Sequence, residues 1–385
     1  MRRAIYIHEF AITCALGENA QTVRRNLLAA EPPRVCGQAR LTDGRSVPVG
    51  VIAFEPVADG VDSRCNQLAD RCLADLDSAL VRRVRDADAQ RLAVVVGTST
   101  SGIGEGGDAF RARNAQGNWP DDFRFSVQEF GDIAAHIARR TGARGPTYGI
   151  STACTSGAKA LASAARLIEA GLCDVAIAGG VDSLSDLTLN GFAALESLSE
   201  RVCNPFSVNR RGINLGEGGA LFALSTQPSA IRLAGWGESA DAYHISAPDP
   251  EGKGAEVAMR QALGRASCRP QDIGYLNLHG TGTKLNDLME ARAVSRVFGA
   301  DLPCSSTKPL TGHMLGAAGA CEAAFALIAL QAGRLPVHVW DGERDDELPQ
   351  IHLVAAGEVR DVRYAMSCSY AFGGNNIALI LEKVQ

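Results

Sequence analysis

Cys154, His279 and His313 are the residues of this chain best suited to covalent chemistry, because each stands among small residues that leave it open to a ligand. Cys154 lies in I-S-T-A-C-T-S-G, residues 150–157, between an apolar approach and a small-residue run with helical spacing. A thiol ionises near pH 8.5 in water, and only the thiolate is a strong nucleophile. A helix N-terminus favours negative charge on such a sulfur. Ala153, Ser156 and Gly157 leave room for a substrate to approach. The plain alternative is a small buried hydrophobe, the usual role of a free cysteine.

His279 ends a strand-like run in L-N-L-H-G-T-G-T. Loops at the carboxyl ends of parallel strands are where α/β sites collect. A turn-capping histidine is the ordinary alternative. His313 stands in S-S-T-K-P-L-T-G-H-M-L-G-A-A-G, with Lys308 five residues before it and Glu322 nine after. Lys, His and Glu this close to a Gly/Ala-rich helix can build a buried polar network. A surface lysine with a capping histidine is the alternative there. Neither histidine has a second His at metal-ligand spacing or an acidic cluster beside it, so no metal site is expected. Phe372 precedes Gly373 and Gly374 in S-Y-A-F-G-G-N-N. It is either a core aromatic or a lid hinged on the two glycines.

One cysteine and one histidine, oriented by Asn or Asp, would make a hydrolase. Two histidines suit a different task. They can stabilise negative charge developing on a carbonyl after an acyl-cysteine has formed. Carbon–carbon bond formation by decarboxylation has that demand.

These residues need a scaffold that brings strand ends together. Leu92–Gly97 reads as a short buried strand, and so does the run 174–180. Between Cys154 and Gly171 the apolar positions Ala158, Leu161, Ala162, Ala165 and Ile168 share one helical face, with Gly171 as C-terminal cap. Strand, helix, strand in that order predicts a βαβ unit and a parallel sheet. Ile273–Leu278 predicts another strand, Asp287–Phe298 a helix, and Gly316–Leu330 an Ala-rich helix. Residues 216–225, G-E-G-G-A-L-F-A-L-S, resemble residues 373–382, G-G-N-N-I-A-L-I-L-E. The match suggests two similar halves meeting near 226–231, where T-Q-P-S-A reads as a connection.

Composition narrows the class. The 385 residues are 46% hydrophobic and 21% charged, the profile of a globular protein larger than one ordinary core. A net charge of −5 disfavours a general nucleic-acid binder. Eleven cysteines without a C-x-x-C pair disfavour a disulfide framework and point to the reducing cytoplasm. The N-terminal M-R-R-A-I-Y-I-H-E-F is broken by His8 and Glu9, so a signal peptide is not expected, nor is a membrane span.

Taken together, S-T-A-C-T-S-G-A, N-L-H-G-T-G-T, S-S-T-K-P-L-T-G-H-x-L-G-A-A-G and F-G-G-N-N resemble, in order, the motifs of the β-ketoacyl-acyl carrier protein synthases. These are the elongating condensing enzymes of fatty acid and polyketide synthesis. The resemblance covers nearly the whole chain. It implies an α/β thiolase-like fold of five layers, α-β-α-β-α, made of two duplicated halves with two mixed sheets around central helices. The halves would be 1–228, carrying the nucleophilic Cys, and 229–385, carrying both His.

The resemblance also implies roles. Cys154 matches the nucleophile that accepts the acyl chain, and His279 and His313 match the pair that stabilises the enolate as malonyl-carrier protein loses carbon dioxide. Lys308 matches the lysine beside the second His, and Glu322 its partner. Asp287 matches the retained acid that closes the H-G-T motif. Thr281 and Thr283 match the threonines that bond the pantetheine arm. Phe372 matches the gating aromatic whose N–H joins that of Cys154 in the oxyanion hole. Gly373 and Asp241 belong to the substrate side of that gate, Asp241 on a loop that moves with it. Arg210, in N-R-R-G, matches a basic position facing the acidic carrier protein. No metal or dissociable cofactor is implied, since the substrates carry phosphopantetheine on their carrier.

The chain also departs from the family. Many relatives read H-G-T-x-T-P-x-G-D where this chain reads H-G-T-G-T-K-L-N-D, so Lys284 replaces Pro and Asn286 replaces Gly. With G-T-S-T-S-G, N-G-F-A-A-L-E-S-L-S and E-S-A-D-A-Y-H-I-S-A-P-D-P-E-G-K-G, the chain is most similar to the ketosynthases of aryl polyene clusters in Gram-negative bacteria. Those relatives pair with a chain-length-factor subunit lacking the catalytic Cys. The implied assembly is a homodimer or a heterodimer with such a subunit. Fatty acid elongation is the alternative pathway; a non-catalytic chain-length factor and a thiolase are the remoter ones.

Overall fold

The computed structural model of the chain describes residues 3–54, 63–76 and 78–384. Met1 and Arg2 of the N-terminal stretch lie outside the described residues. One sheet of 11 strands runs through the fold. Its first half contains β1 (Tyr6–Cys14), β2 (Leu92–Gly97), β3 (Thr147–Ile150), β4 (Val175–Asp182) and β5 (Gly218–Ser225). Its second half contains β6 (Ile231–Ala240), β7 (Ile273–Asn277), β8 (Pro303–Ser305), β9 (Tyr364–Ala371) and β10 (Asn375–Lys383), with the short edge strand His352–Leu353 beside β8.

Both halves use one plan. The spatial order is β3-β2-β4-β5-β1 in the first and β8-β7-β9-β10-β6 in the second, each number raised by five. The first three strands of each run are parallel, and the last two join antiparallel. The two segments of similar wording, 216–225 and 373–382, fall on the corresponding strands β5 and β10. The two mixed sheets expected are the two halves, joined at one edge into a continuous run because β1 and β6 pair at Tyr6↔Arg232 and Ile7↔Ile231.

The strands are apolar on both faces because both faces are covered, as parallel-rich sheets require. In β2, Ala93 and Val95 pack toward the central layer, while Leu92, Val94 and Val96 pack outward. In β10, Ile377, Leu379 and Leu381 face the centre, and Ala378 and Ile380 face the other way. This alternation separates five layers. Helices α1 (Arg64–Asp75) and α2 (Asp132–Thr141) cover the outside of the first half. The central layer holds α3 (Ser156–Glu169) and a last helix at Ala318–Ala332. Between these in sequence lie α4 (Asp186–Ala194), α5 (Lys253–Ala266) and α6 (Lys284–Phe298); α5 and α6 cover the outside of the second half, and Ala318–Ala332 is α7.

Small residues let the central pair approach closely. A Cβ added at Gly319 of α7 would stand 2.8 Å from the Cβ of Ala158 in α3, and one at Gly157 would stand 2.8 Å from the carbonyl oxygen of Gly316. The α3 C-cap is Ala170, and Gly171 takes the left-handed position just beyond it at φ +73°. Helix α6 starts at Lys284, three residues before the expected Asp287, with Thr283 as an extended N-cap. No stretch of the sequence was expected to approach the length of a membrane span, but Leu315–Ala332, 18 residues of mean hydropathy 1.5, does reach it. That segment is 89% buried inside the fold. A helix covered all round is apolar all round.

Candidate active site

Every reactive side chain foreseen in the sequence follows a strand end. Cys154 follows β3 and precedes α3, His279 follows β7, and His313 follows β8. Ala153 has φ +51°, a left-handed conformation that costs energy for a residue with a Cβ. The turn is held by its hydroxyls: Ser156 Oγ donates to Ala153 O at 2.6 Å and accepts from Thr152 N at 2.8 Å. This tight turn presents the Cys154 sulfur at the start of α3, the end of a helix that favours negative charge.

The sulfur lies 2.9 Å from His313 Nε2. The His279 ring stands edge-on to His313, with centroids 5.2 Å apart. Beneath them Lys308 Nζ donates to Glu322 Oε1 at 2.5 Å and to the carbonyl of His279, and approaches His279 Nδ1 at 3.4 Å. Both partners of this ion pair are at most 2% exposed. An ammonium can only donate, so His279 Nδ1 faces it as an acceptor and the ring proton belongs on Nε2.

Burial sets the charges. It holds His279 well below the usual histidine range, and the Lys308 charge and His313 add to that effect. His313 is lowered in the same way, by burial first and Lys308 second. Both rings are therefore neutral at physiological pH. Burial pushes the Cys154 thiol up to about 12, against the pull of Lys308. The sulfur rests as a thiol, and an attack on a carbonyl must pass its proton along the contact with His313 as the new bond forms.

A cavity of about 300 Å³ opens above these groups. Cys154, His279 and His313 line its inner part, with Thr281, Thr283, Asp241 and Phe372 also on the wall. Thr281 and Thr283 bond one another through their hydroxyls at 2.9 Å. Phe372 is 38% exposed and stacks on Phe192 with centroids 5.7 Å apart. Gly373 and Gly374 behind it are left-handed, at φ +78° and +72°. Asp241 accepts from Asn376 Nδ2 at 2.7 Å, and its N–H donates to Gly374 O at 2.8 Å, so the loop and the aromatic turn are tied. Lys308 and Glu322 sit below the cavity floor. Asp287 lies behind the wall and accepts from the N–H groups of Phe206 and Gly282.

Arg210 is the exception. It was expected to face the carrier protein, but its side chain is 4% exposed and its guanidinium is held by Asp345 and by Ser207 O. A cation so enclosed supports the fold of its own loop. The next residue, Arg211, is the exposed one of the pair.

Some participants were not foreseen. Glu290 accepts from His279 N and Gly280 N, each at 2.7 Å, and so fixes the backbone that carries the histidine. Burial pushes its carboxyl up to about 8. The signal was present: Asp287 and Glu290 lie in the first two turns of α6, where acids bond the N–H groups of the preceding loop. Asp182, at the end of β4, accepts from the Thr98 hydroxyl, the N–H and hydroxyl of Thr100, Ser99 N and Gly316 N. Nothing local in G-G-V-D pointed to those partners.

The departures from the family pattern lie at the cavity lip. Lys284 and Leu285 are exposed there, and Asn286 is buried and bonds the carboxylates of Asp287 and Glu290.

Two family models match the chain: "Beta-ketoacyl synthase, N-terminal domain" over residues 13–230 and "Beta-ketoacyl synthase, C-terminal domain" over residues 231–339. The 3-oxoacyl-[acyl-carrier-protein] synthase 2 of Staphylococcus aureus (strain COL) is 35% identical over 261 residues. That stretch covers 63% of this chain and 63% of the relative's length, less than two thirds of either. Nodulation protein E of Rhizobium meliloti (strain 1021) is 36% identical over 78% of this chain and 77% of its own length. Among solved structures, the ketosynthase ApeO in complex with its chain length factor ApeC, from Xenorhabdus doucetiae, superposes with a TM-score of 0.94 at 41% identity, covering 99% of this chain and 98% of that one.

Proposed function

The chain belongs to the β-ketoacyl synthase family, and from that premise we propose that it is a β-ketoacyl-acyl carrier protein synthase, an acyltransferase performing decarboxylative condensation. The observation that carries this reading is the 2.9 Å contact of Cys154 Sγ with His313 Nε2, at the floor of a cavity that His279 also lines.

In the first stage Cys154 attacks the thioester of an acyl-carrier protein. The sulfur–carbonyl bond forms, the arm's sulfur leaves, and His313 passes the thiol proton to it. The N–H groups of Cys154 and Phe372 receive the oxyanion. In the second stage malonyl-carrier protein enters and loses carbon dioxide. Neutral His279, and His313 once its ring proton has passed from Nδ1 to Nε2, donate N–H to the enolate oxygen, which spares the site an unpaired buried charge. The enolate carbon then attacks the acyl-Cys154 carbonyl. The thiolate leaves and takes up one proton, and the product is longer by two carbons. Lys308 and Glu322 hold His279 in its tautomer, and Glu290 and Asp287 hold its loop. Thr281, Thr283, Gly373 and Asp241 line the path of the pantetheine arm, which the substrates bring with them. No metal or dissociable cofactor enters these steps.

We place the reaction in aryl polyene synthesis in the cytoplasm. The motifs quoted above support this, and so does the 41% identity to ApeO along 99% of the chain. That relative was solved with a chain length factor, which supports a heterodimer with a ketosynthase-like subunit over a homodimer. The identical strand order of the halves supports an origin of 1–228 and 229–385 from one duplicated unit. Elongation in fatty acid synthesis is the second reading, favoured by the similarity to the S. aureus synthase. Incubation with candidate acyl-carrier proteins, followed by mass spectrometry of the active-site peptide, separates the two. Aryl-polyenoyl groups should load on Cys154. Efficient loading of saturated long chains with none of the aryl-polyenoyl ones would reject the pigment pathway. An unchanged condensation rate in Cys154→Ala would reject the mechanism.

A further inference from the structure

Lys284 takes no part in the steps above. It follows Thr283 where many relatives carry proline, and it opens helix α6 at the lip of the cavity. Residues 279–284 climb one side of that cavity from its floor to solvent. His279 is 2% exposed and Thr281 7%, Thr283 is half-buried, and Lys284 is exposed. Among the residues lining the cavity, Lys284 is the one lysine or arginine. The two histidines are neutral, and the other charge on the wall is the Asp241 carboxylate, which Asn376 already bonds. The Asp345 carboxylate feels the Lys284 charge, but Arg210 holds it. Among the described residues none forms an ion pair with the Lys284 ammonium. The cavity therefore has one uncommitted cation, and it stands where a ligand enters.

We infer that Lys284 binds the phosphate of the phosphopantetheine arm, and so favours thioesters that carry this anion over uncharged ones. The inference rests on the condensing function proposed above, which brings such an arm to Cys154. Between its sulfur and its phosphorus the arm has about thirteen bonds, the length of roughly four residues of backbone, or about 14 Å when extended. Residues 279–284 make five steps, at most about 17 Å, and the left-handed Gly280 and Gly282 (φ +42° and +78°) shorten that path. The two lengths are comparable. A thioester beside His279 thus puts the arm's amides along Thr281 and Thr283 and its phosphate at Lys284. The lysine ammonium, on a flexible stem with three donors, meets a phosphate without needing one fixed geometry. A proline at this position would offer neither charge nor N–H. The contact is exposed, so it contributes on the modest scale of a surface ion pair.

The test alkylates Cys154 of the whole protein with a bromoacetamido analogue of pantetheine, with and without the terminal phosphate, and follows the modified peptide by mass spectrometry. Neither probe includes a carrier protein or an acyl chain. In the wild type the phosphate should raise the second-order rate by about three- to fivefold, the scale of an exposed ion pair. That advantage should shrink at about 0.5 M salt. Lys284→Gln should bring the two rates to within about 1.5-fold of each other, and Lys284→Arg should keep the advantage. A lysine that only supports the lip would change both rates alike, so an unchanged ratio in Lys284→Gln overturns the contact. A wild type indifferent to the phosphate overturns it too; a KM for malonyl-carrier protein that then rises in Lys284→Gln moves the contact to the carrier's surface. Failure of both probes to reach Cys154 overturns the path of the arm and the contact with it. Carbon dioxide release from malonyl-carrier protein separates the two readings. No release by a wild type that shows the phosphate advantage overturns the condensing function and leaves the contact standing; release without the advantage does the reverse.

Discussion

After β2 the chain turns through Thr98, Ser99 and Thr100, all bonded to the Asp182 carboxylate at the end of β4. After the corresponding β7 it turns through His279 and Gly280, whose N–H groups bond Glu290. After β3 comes Cys154 on a strained turn; after the corresponding β8 come Lys308 and His313. β4 ends on the buried Asp182; after β9 comes Phe372, 38% exposed beside two left-handed glycines. The same six strand ends thus carry different work. The first half builds a rigid platform that presents one nucleophile. The second builds two neutral histidines and an aromatic turn that faces the substrate. The contrast shows that the duplicated topology sets where a residue can stand, and the side chains alone set what it does there.

The largest predicted effect divides the chemistry along that line. Cys154→Ala should lower condensation by on the order of 10⁴-fold while release of carbon dioxide from malonyl-carrier protein persists. His279→Ala should lower that release by about 10²–10³-fold while acyl groups still load on Cys154. Carbon dioxide evolution and the mass of the acylated peptide read the two steps separately. If each variant lost both steps equally, the division by halves would be wrong.

Next in size is the support under the histidines. Lys308→Met leaves Glu322 buried without its partner, and breaking such a pair costs about 3–5 kcal/mol. Urea unfolding of the two proteins gives the difference directly; a loss under about 1 kcal/mol would place that ion pair with the weak surface pairs.

Glu290 provides a pH signature for the second half. Burial holds its folded carboxyl near 8, whereas the unfolded one ionises near 4.3. Between those values the folded state keeps a proton that the unfolded state has lost. Wild-type stability should therefore fall relative to Glu290→Gln as pH rises from about 5 to 8, by up to about 1.4 kcal/mol per unit. Parallel stability curves for the two proteins would show that Glu290 is ionised throughout.

The smallest effect concerns the loop by Asp345. Arg210→Met should cost about 1–2 kcal/mol of stability and leave the KM for carrier-bound substrate within about twofold. A rise in that KM without loss of stability would return Arg210 to the docking surface.

The sequence carried the reactive residues because their spacing is local. Lys308, His313 and Glu322 fall within fifteen positions, and Cys154 sits between a strand pattern and a helix pattern. The repeat on β5 and β10 was legible for the same reason. What stayed hidden depends on distant chain. The Asp345 that encloses Arg210 is 135 positions away, and the Gly316 that bonds Asp182 is 134. The left-handed Ala153 gave no sign, since Ala disfavours that conformation and only the finished turn imposes it. The membrane-length run 315–332 shows the converse: hydropathy reports burial without naming the solvent.

That last helix has a consequence for the order in which the chain is made. Helix α3 finishes at residue 169, but the surface it packs against includes α7, ending at 332, and β10, ending at 383. A ribosome adds some 5–20 residues each second, so the alanine face of α3 waits many seconds without its partner. Throughout that interval the first half exposes an apolar layer to the crowded cell. Its safety then depends on chaperones, or on the speed with which the final strand arrives to close it.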